Sequence, residues 1–146
     1  MNIVMLLKPK SEVAYIREES TLRQGLEKMK AHGYSALPVL NRHGEYTGTV
    51  SEGDFLWDLL KTDSKTMKDG EKYTVAGIMR PGFNPAVTID TTMDDLLVRV
   101  MDSNFVPVVD DRNVFMGIIT RRDVIKYFRT VKIFNESLLS MASVQV

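Results

Sequence analysis

Two short stretches place a hydroxyl and a carboxylate three residues apart, directly after a run of strand-forming residues. One is Gly117-Ile118-Ile119-Thr120-Arg121-Arg122-Asp123; the other, sixty-nine positions earlier, is Gly48-Thr49-Val50-Ser51-Glu52-Gly53-Asp54. Each continues into apolar residues at helical spacing: Phe55, Leu56, Leu59 and Leu60 in the first copy, Val124, Ile125 and Phe128 in the second. The pattern predicts a strand that ends in a hydroxyl residue and turns at once into a helix. Such a junction gathers backbone N–H groups, a hydroxyl and a carboxylate, the groups a sugar phosphate needs. A carboxylate suits a vicinal diol because it offers two acceptor oxygens and no donor. Ser51-x-x-Asp54 and Thr120-x-x-Asp123 also fit the helix capping box, a purely structural use of the same residues.

The two copies differ between hydroxyl and aspartate, with Arg121-Arg122 in the second and Glu52-Gly53 in the first. Guanidinium groups favour phosphate, whereas a carboxylate repels it. The second motif is therefore expected to bind a phosphate-bearing ligand more tightly. Arginines simply solvated at a helix start are the competing reading. Other chemistry is thin. His32 and His43 lack ligand-spaced partners, and no carboxylate cluster suggests acid–base or nucleophilic work. There is no Walker or dinucleotide-fold glycine loop.

The elements around these motifs are duplicated as well. Leu37-Pro38-Val39-Leu40 aligns with Val106-Pro107-Val108-Val109, and Tyr46 with Phe115, at the same offset. Thr21-Leu22-Arg23-Gln24 matches Thr92-Met93-Asp94-Asp95 at an offset of seventy-one, and Leu7-Lys8-Pro9 matches Met79-Arg80-Pro81 at seventy-two. Four matches in one order amount to an internal repeat. In each copy an extended segment (Ala14-Tyr15-Ile16, Pro85-Ala86-Val87) precedes a helix with Thr21 or Thr92 as N-cap. Leu22, Leu26 and Met29, and likewise Met93, Leu97 and Val100, give each helix one apolar stripe. Gly33 and Asn104 suit a left-handed residue ending it. Two strands follow, through Val39 and Val50 or Val108 and Ile119, joined by tight turns at Asn41–Gly44 and Asp110–Asn113. Each repeat is therefore β-α-β-β-α. The boundaries are repeat 1 over 1–61, a polar linker at 62–73, repeat 2 over 74–130, and a tail at 131–146 that forms a short helix capped near Asn135. One repeat alone buries too little surface, so two are expected to share a core as a pseudo-twofold α+β pair with clefts between them.

Composition sets the outer limits. The chain has 146 residues, 44% hydrophobic and 26% charged, with a formal net charge of zero and no cysteine. Balanced charge gives no support for nucleic acid or an anionic membrane as partner. Without cysteine there are no disulfides, thiolate metal sites or cysteine nucleophiles, which fits a reducing cytosol. The apolar run Ile3 to Leu7 is too short to span a membrane and reads as a buried strand or short helix.

The element order, the Pro38-Val39-Leu40 and Pro107-Val108-Val109 strands, and the Gly-x-apolar-[Ser/Thr]-x-x-Asp junctions resemble a tandem pair of CBS domains (a Bateman module). The resemblance covers roughly residues 4 to 129. Gly53-Asp54-Phe55-Leu56-Trp57 and Phe115 to Asp123 look most like the small stand-alone bacterial pairs. The resemblance implies a cytoplasmic ligand sensor with no catalytic residues, no metal and no cofactor. Its ligand would be an adenosine-containing molecule: AMP, ADP, ATP, S-adenosylmethionine or cyclic di-AMP. By that likeness Asp54 and Asp123 accept bonds from ribose hydroxyls, and Ser51 and Thr120 contact ribose or phosphate, with Arg121 and Arg122 beside them. The base would lie against Ala14-Tyr15 and Pro85-Ala86. Ser35-Ala36 with Pro38, and Asn104-Phe105 with Pro107, complete its slot. The family also implies a homodimer through the helices opened by Asp54 and Asp123, and a protein partner that receives the signal. The alternatives are an S-adenosylmethionine sensor and a structural interaction module with degenerate pockets.

Overall fold

A computed structural model describes residues 2–61 and 73–144. Its elements are β1 (Lys8–Pro9), β2 (Ile16–Arg17), α1 (Leu22–His32), β3 (Ala36–Leu40), β4 (Tyr46–Ser51), α2 (Glu52–Lys61), α3 (Met93–Arg99), β5 (Phe105–Val109), β6 (Phe115–Thr120) and α4 (Arg121–Val144). Short 3-10 turns cover Ile3–Leu6, Lys10–Glu12 and Val75–Ile78. The strands form two three-stranded sheets, β2-β3-β4 and β1-β6-β5. The architecture is α+β, with β-α-β-β-α written twice; in the second copy the first strand shrinks to one parallel bridge, Val87 to Val108. All of the expected linker except Tyr73 lies outside the described residues.

Local chemistry sets the helix starts and turns. At α1, Thr21 Oγ1 accepts the N–H of Gln24 while the Gln24 side chain accepts that of Thr21, a complete capping box. Thr92 accepts the N–H of Asp95 at α3. Asn41 Oδ1 accepts the N–H groups of His43 and Glu45, and Asp110 Oδ1 those of Arg112 and Val114. Both hairpin tips are thus held by an Asx side chain. Gly33 ends α1 at φ 68°, where only glycine is free of a Cβ penalty. Asn104 does not do this for α3, contrary to expectation. The second copy is two residues shorter here. The chain instead leaves α3 through a right-handed turn in which Met101, Asp102 and Ser103 bond back to the Val98 and Arg99 carbonyls.

The two repeats share more than a core, because each lends its leading segment to the other. Ile3 packs with Leu96, Val100, Val106, Val108, Ile119 and Val124 in the second repeat. Val75 packs with Ile16, Leu22, Met29, Leu37, Val39, Val50 and Phe55 in the first, with Ile78 and Met79 against them. The segment Lys8–Pro9 pairs with β6 of the second repeat rather than with any strand of its own. That crossing explains Gly117: a Cβ there would lie 2.0 Å from the Lys8 carbonyl oxygen. A third cluster (Leu40, Tyr46, Val109 and Phe115) closes the centre, where the hairpin tips bond reciprocally, Tyr46 N–H to Asn113 O and Phe115 N–H to Gly44 O.

The C-terminal stretch corrects a second expectation. No separate helix starts at Asn135; α4 runs unbroken for 24 residues from Arg121 to Val144. The sequence after Arg121 contains no glycine or proline, so nothing stops the helix at residue 130. At 1.5 Å per residue it is about 36 Å long.

Candidate functional site

Sheet register builds the first cleft. Phe105 pairs with Thr120, Pro107 with Ile118, and Lys8 with Ile118 from the other side. Directly paired residues, and residues two apart on a strand, share a face. Lys8, Ile118, Thr120 and Phe105 therefore present one surface. The facing wall comes from the other repeat: Val13 and Ala14 after the 3-10 turn, Tyr34, Ser35 and Ala36 after α1, and Pro38 on β3. Together they enclose about 290 Å³, near the lower end of small-molecule clefts (roughly 300–1,000 Å³). The exposed surface of the wall is mostly apolar, and its polar residues are Lys8, Glu12, Tyr34, Ser35, Asn104 and Thr120. Tyr34 is stacked on His32 at 5.6 Å, which steadies its ring at the cleft.

A second cleft of about 280 Å³ lies where the duplication requires it. Thr49 and Ser51 stand in for Ile118 and Thr120, and Phe83 and Asn84 stand in for the 3-10 turn and Val13. Ser35, Ala36, Asn104 and Phe105 line both clefts. At each, the carbonyl before the strand accepts the first N–H of the motif helix: Glu52 N–H to Ser35 O at 2.9 Å, and Arg121 N–H to Asn104 O at 2.8 Å.

The second cleft is already engaged by the protein's own side chains. Arg80 donates from Nε to Asp54 Oδ1 at 2.7 Å and from Nη2 to Ser51 Oγ at 3.3 Å. Its guanidinium lies 3.7 Å over the Phe83 ring. The other Asp54 oxygen accepts the Ser51 N–H at 2.8 Å, and Ser51 Oγ accepts the Asp54 N–H at 3.4 Å. The capping-box reading thus describes the first motif fully. Behind it, Asn84 sits at φ 53°. It is held by Arg99 Nη2 on its Oδ1 (3.0 Å), by its own Nδ2 on Thr49 Oγ1 (3.3 Å), and by Tyr46 O–H on its carbonyl (2.6 Å). Burial pushes the Tyr46 phenol up to about 12, against the opposing pull of the Thr49 bond and the Arg99 charge. Burial likewise lowers the pKa of Arg99, and Tyr46 opposes that shift.

The expected residues are divided among these places. Ala14, Ser35, Ala36, Pro38, Asn104, Phe105 and Thr120 converge on the first cleft, and Ser51 lies in the second. Asp54 is turned behind it, where with Arg80, Trp57 and Pro81 it borders a groove beside α2. Asp123 donates its N–H to Thr120 Oγ1 at 3.2 Å, and its carboxylate makes no return bond to Thr120 among the described residues. Arg121 Nε is committed to the Val100 carbonyl at 2.7 Å, and Arg122 is exposed. Neither arginine lines the first cleft. Tyr15 turns away into the central cluster, against Phe115 at 6.3 Å. Ala86 packs on that cluster as well, Pro85 offers its carbonyl to Arg99, and Pro107 is buried in β5. Lys8, Glu12, Tyr34, Arg80, Phe83 and Asn84 were not singled out from the sequence. For Lys8 and Arg80 the signal was present in the matched pair Lys8-Pro9 and Arg80-Pro81, which places a cation at one position of each copy.

Two pseudo-equivalent clefts are each assembled from both halves of a duplicated chain. The CBS domain model matches residues 6–61 and 75–130. The chain belongs to the CBS-domain family. It is 26% identical over 115 residues to the cyclic di-AMP receptor B of Bacillus subtilis, covering 79% of this chain and 78% of that protein. It is 25% identical over 99 residues to the L-aspartate semialdehyde sulfurtransferase of Methanocaldococcus jannaschii, covering 66% of this chain but 18% of that enzyme. Two mycobacterial relatives are also covered over only 26% of their length. Among solved structures, the crystal structure of CbpB in complex with c-di-AMP superposes at a TM-score of 0.82, with 22% identity and coverage of 94% of this chain and 91% of that one. That likeness is one of fold. Among the described residues no helix is long and apolar enough to cross a membrane.

Proposed function

We propose that this chain is a regulatory sensor that binds an adenosine-containing nucleotide in the Thr120 cleft and reports occupancy through a contact surface. The observation that carries this reading is the contrast between the clefts. The Thr120 cleft has an apolar wall for a base (Ala14, Ala36, Pro38, Phe105, Ile118), and among the described residues its Thr120 hydroxyl is bonded by no other side chain. In the Ser51 cleft the equivalent hydroxyl and the nearby aspartate are held by Arg80. The Bacillus subtilis relative, named as a cyclic di-AMP receptor, matches over most of both chains, and supports a mononucleotide or one half of a cyclic dinucleotide as occupant. The sulfurtransferase relative does not argue for turnover, because the match spans 18% of that enzyme. No cofactor is required, and the chain acts as a homodimer that hands its signal to a protein partner. Ligand binding works by stabilising one packing of the repeats over another.

A thermal-shift and calorimetry panel of cyclic di-AMP, AMP, ADP, ATP and S-adenosylmethionine tests this. At least one is expected to raise Tm, with a shift abolished by Asp123→Ala and retained by Asp54→Ala. Stabilisation amounts to about 2.7 kcal/mol at a ligand concentration of 100 Kd. No shift with any of the five would leave the interaction module as the better reading; what favours it is the hold of Arg80 on Ser51 and Asp54.

A further inference from the structure

We propose that Lys8 reads the phosphate of the bound ligand, so that the Thr120 cleft selects phosphorylated adenosine compounds over S-adenosylmethionine. This rests on the sensor reading above and adds a residue and a ligand class to it. Lys8 and Arg80 occupy one position of the duplicated sequence, each followed by proline. Arg80 demonstrates what a cation at this position reaches, since its guanidinium bonds the Ser51 hydroxyl of the second cleft and the Asp54 carboxylate behind it. Lys8 is placed to do the same for Thr120. Its backbone is clamped in β1 opposite Ile118, two residues before Thr120 on β6, and its side chain lines the cleft beside both.

The two cations differ in what they are bound to. Arg80 is spent on Asp54 and Ser51, whereas Lys8 makes no ion pair among the described residues and keeps its ammonium for a ligand. Lysine is a compact point charge on a flexible stem, suited to a phosphate whose position varies among ligands. The sulfonium of S-adenosylmethionine is cationic and would meet like charge there. Glu12 is the opposing charge of the same cleft. Removing Lys8 would therefore leave an anionic pocket that disfavours phosphate and tolerates a sulfonium.

Calorimetry on the full chain with adenosine, AMP, cyclic di-AMP and S-adenosylmethionine, at low and high salt, reads this directly. Lys8→Ala is expected to weaken the tightest phosphate ligand about tenfold or more, to flatten the salt dependence of its Kd, and to improve S-adenosylmethionine relative to it. Lys8→Arg should restore phosphate binding. β1 pairs through its backbone, so an unchanged unfolding midpoint of Lys8→Ala separates charge loss from misfolding. Unchanged affinity and salt dependence in Lys8→Ala would overturn the proposal and leave the sensor reading standing. Failure of the wild type to bind any adenosine compound is a different result, which removes both.

Discussion

Arg80 and Asp54 meet at 2.7 Å, Nε to Oδ1, across the boundary between the two repeats. With Ser51, this pair holds the groups by which the first motif would take a ribose. The Asp54 side chain is 2% exposed and that of Arg80 54%, so a desolvated carboxylate is answered by a half-solvated cation. Arg80→Ala should lower stability by about 1–2 kcal/mol, less than for a fully buried pair because water can reach the vacated position. Urea unfolding of Arg80→Ala and Arg80→Lys checks this. Lysine should recover part of the loss, since it can satisfy Asp54 but not Asp54 and Ser51 with two separate arms of a fork.

The motif glycines are not equivalent. At Gly117 a Cβ would meet the Lys8 carbonyl oxygen at 2.0 Å, which is backbone and cannot swing aside. At Gly48 the nearest atom is the Met79 methyl at 3.3 Å, the end of a flexible chain. Gly117→Ala should detach β1 from β6 and cost about 3 kcal/mol or more, Gly48→Ala nearer 1–2 kcal/mol from its φ of 157° and a small side-chain shift. Denaturant midpoints, with amide exchange across residues 3–9, separate the two.

The sequence carried the repeat, its element order, the N-caps at Thr21 and Thr92 and the Asx turns, because each is fixed by residues within a few positions of one another. Thr21 with Gln24 and Asp110 with Val114 are examples. What it did not carry was which repeat each leading segment serves. Ile3 and Val75 are apolar residues in short turns, and nothing local says that each packs against the other half. Arg80 was overlooked for the same reason: it lies twenty-six positions from Asp54 and becomes a partner only through that exchange. Arg121, conspicuous beside Thr120, is taken by the Val100 carbonyl, a contact set by where α3 ends.

Tyr46 predicts an alkaline transition. Its O–H donates to the Asn84 carbonyl inside the protein, and burial holds its pKa at about 12, against 10.0 for a free phenol. Between those values the unfolded chain has lost a proton that the folded chain keeps. Stability from this group is therefore complete below pH 10 and is lost as pH rises to about 12, at up to ~1.4 kcal/mol per pH unit. Tyr46→Phe should cost about 1 kcal/mol at neutral pH through the unpaired carbonyl. The gap between wild type and Tyr46→Phe should close, then reverse, as unfolding is followed from pH 9 upward. A constant gap would count against the buried phenol.

The far end of α4 gives the last prediction. Val124, Tyr127, Val131, Phe134, Leu138 and Met141 follow spacings of three and four in alternation, the seam of a coiled coil. Val124 is fully buried in the second repeat's core, while Phe134 and Met141 are each 62% exposed. One stripe thus begins as core and continues as exposed surface, uncovered among the described residues. A second copy presents the same stripe, and pairing the two from Val131 to Met141 would continue the 3.5-residue period over the exposed part. Exposed Leu56, Trp57 and Leu60 on α2 offer further apolar surface if the helices of two copies pack side by side. Sedimentation equilibrium is expected to give a dimer for the wild type and a monomer for Phe134→Ser/Leu138→Ser. Both substitutions sit at solvent-facing positions, so the monomer should keep its unfolding cooperativity and the Tyr46 alkaline transition. A double variant that remains dimeric would move the interface off the α4 seam and onto α2.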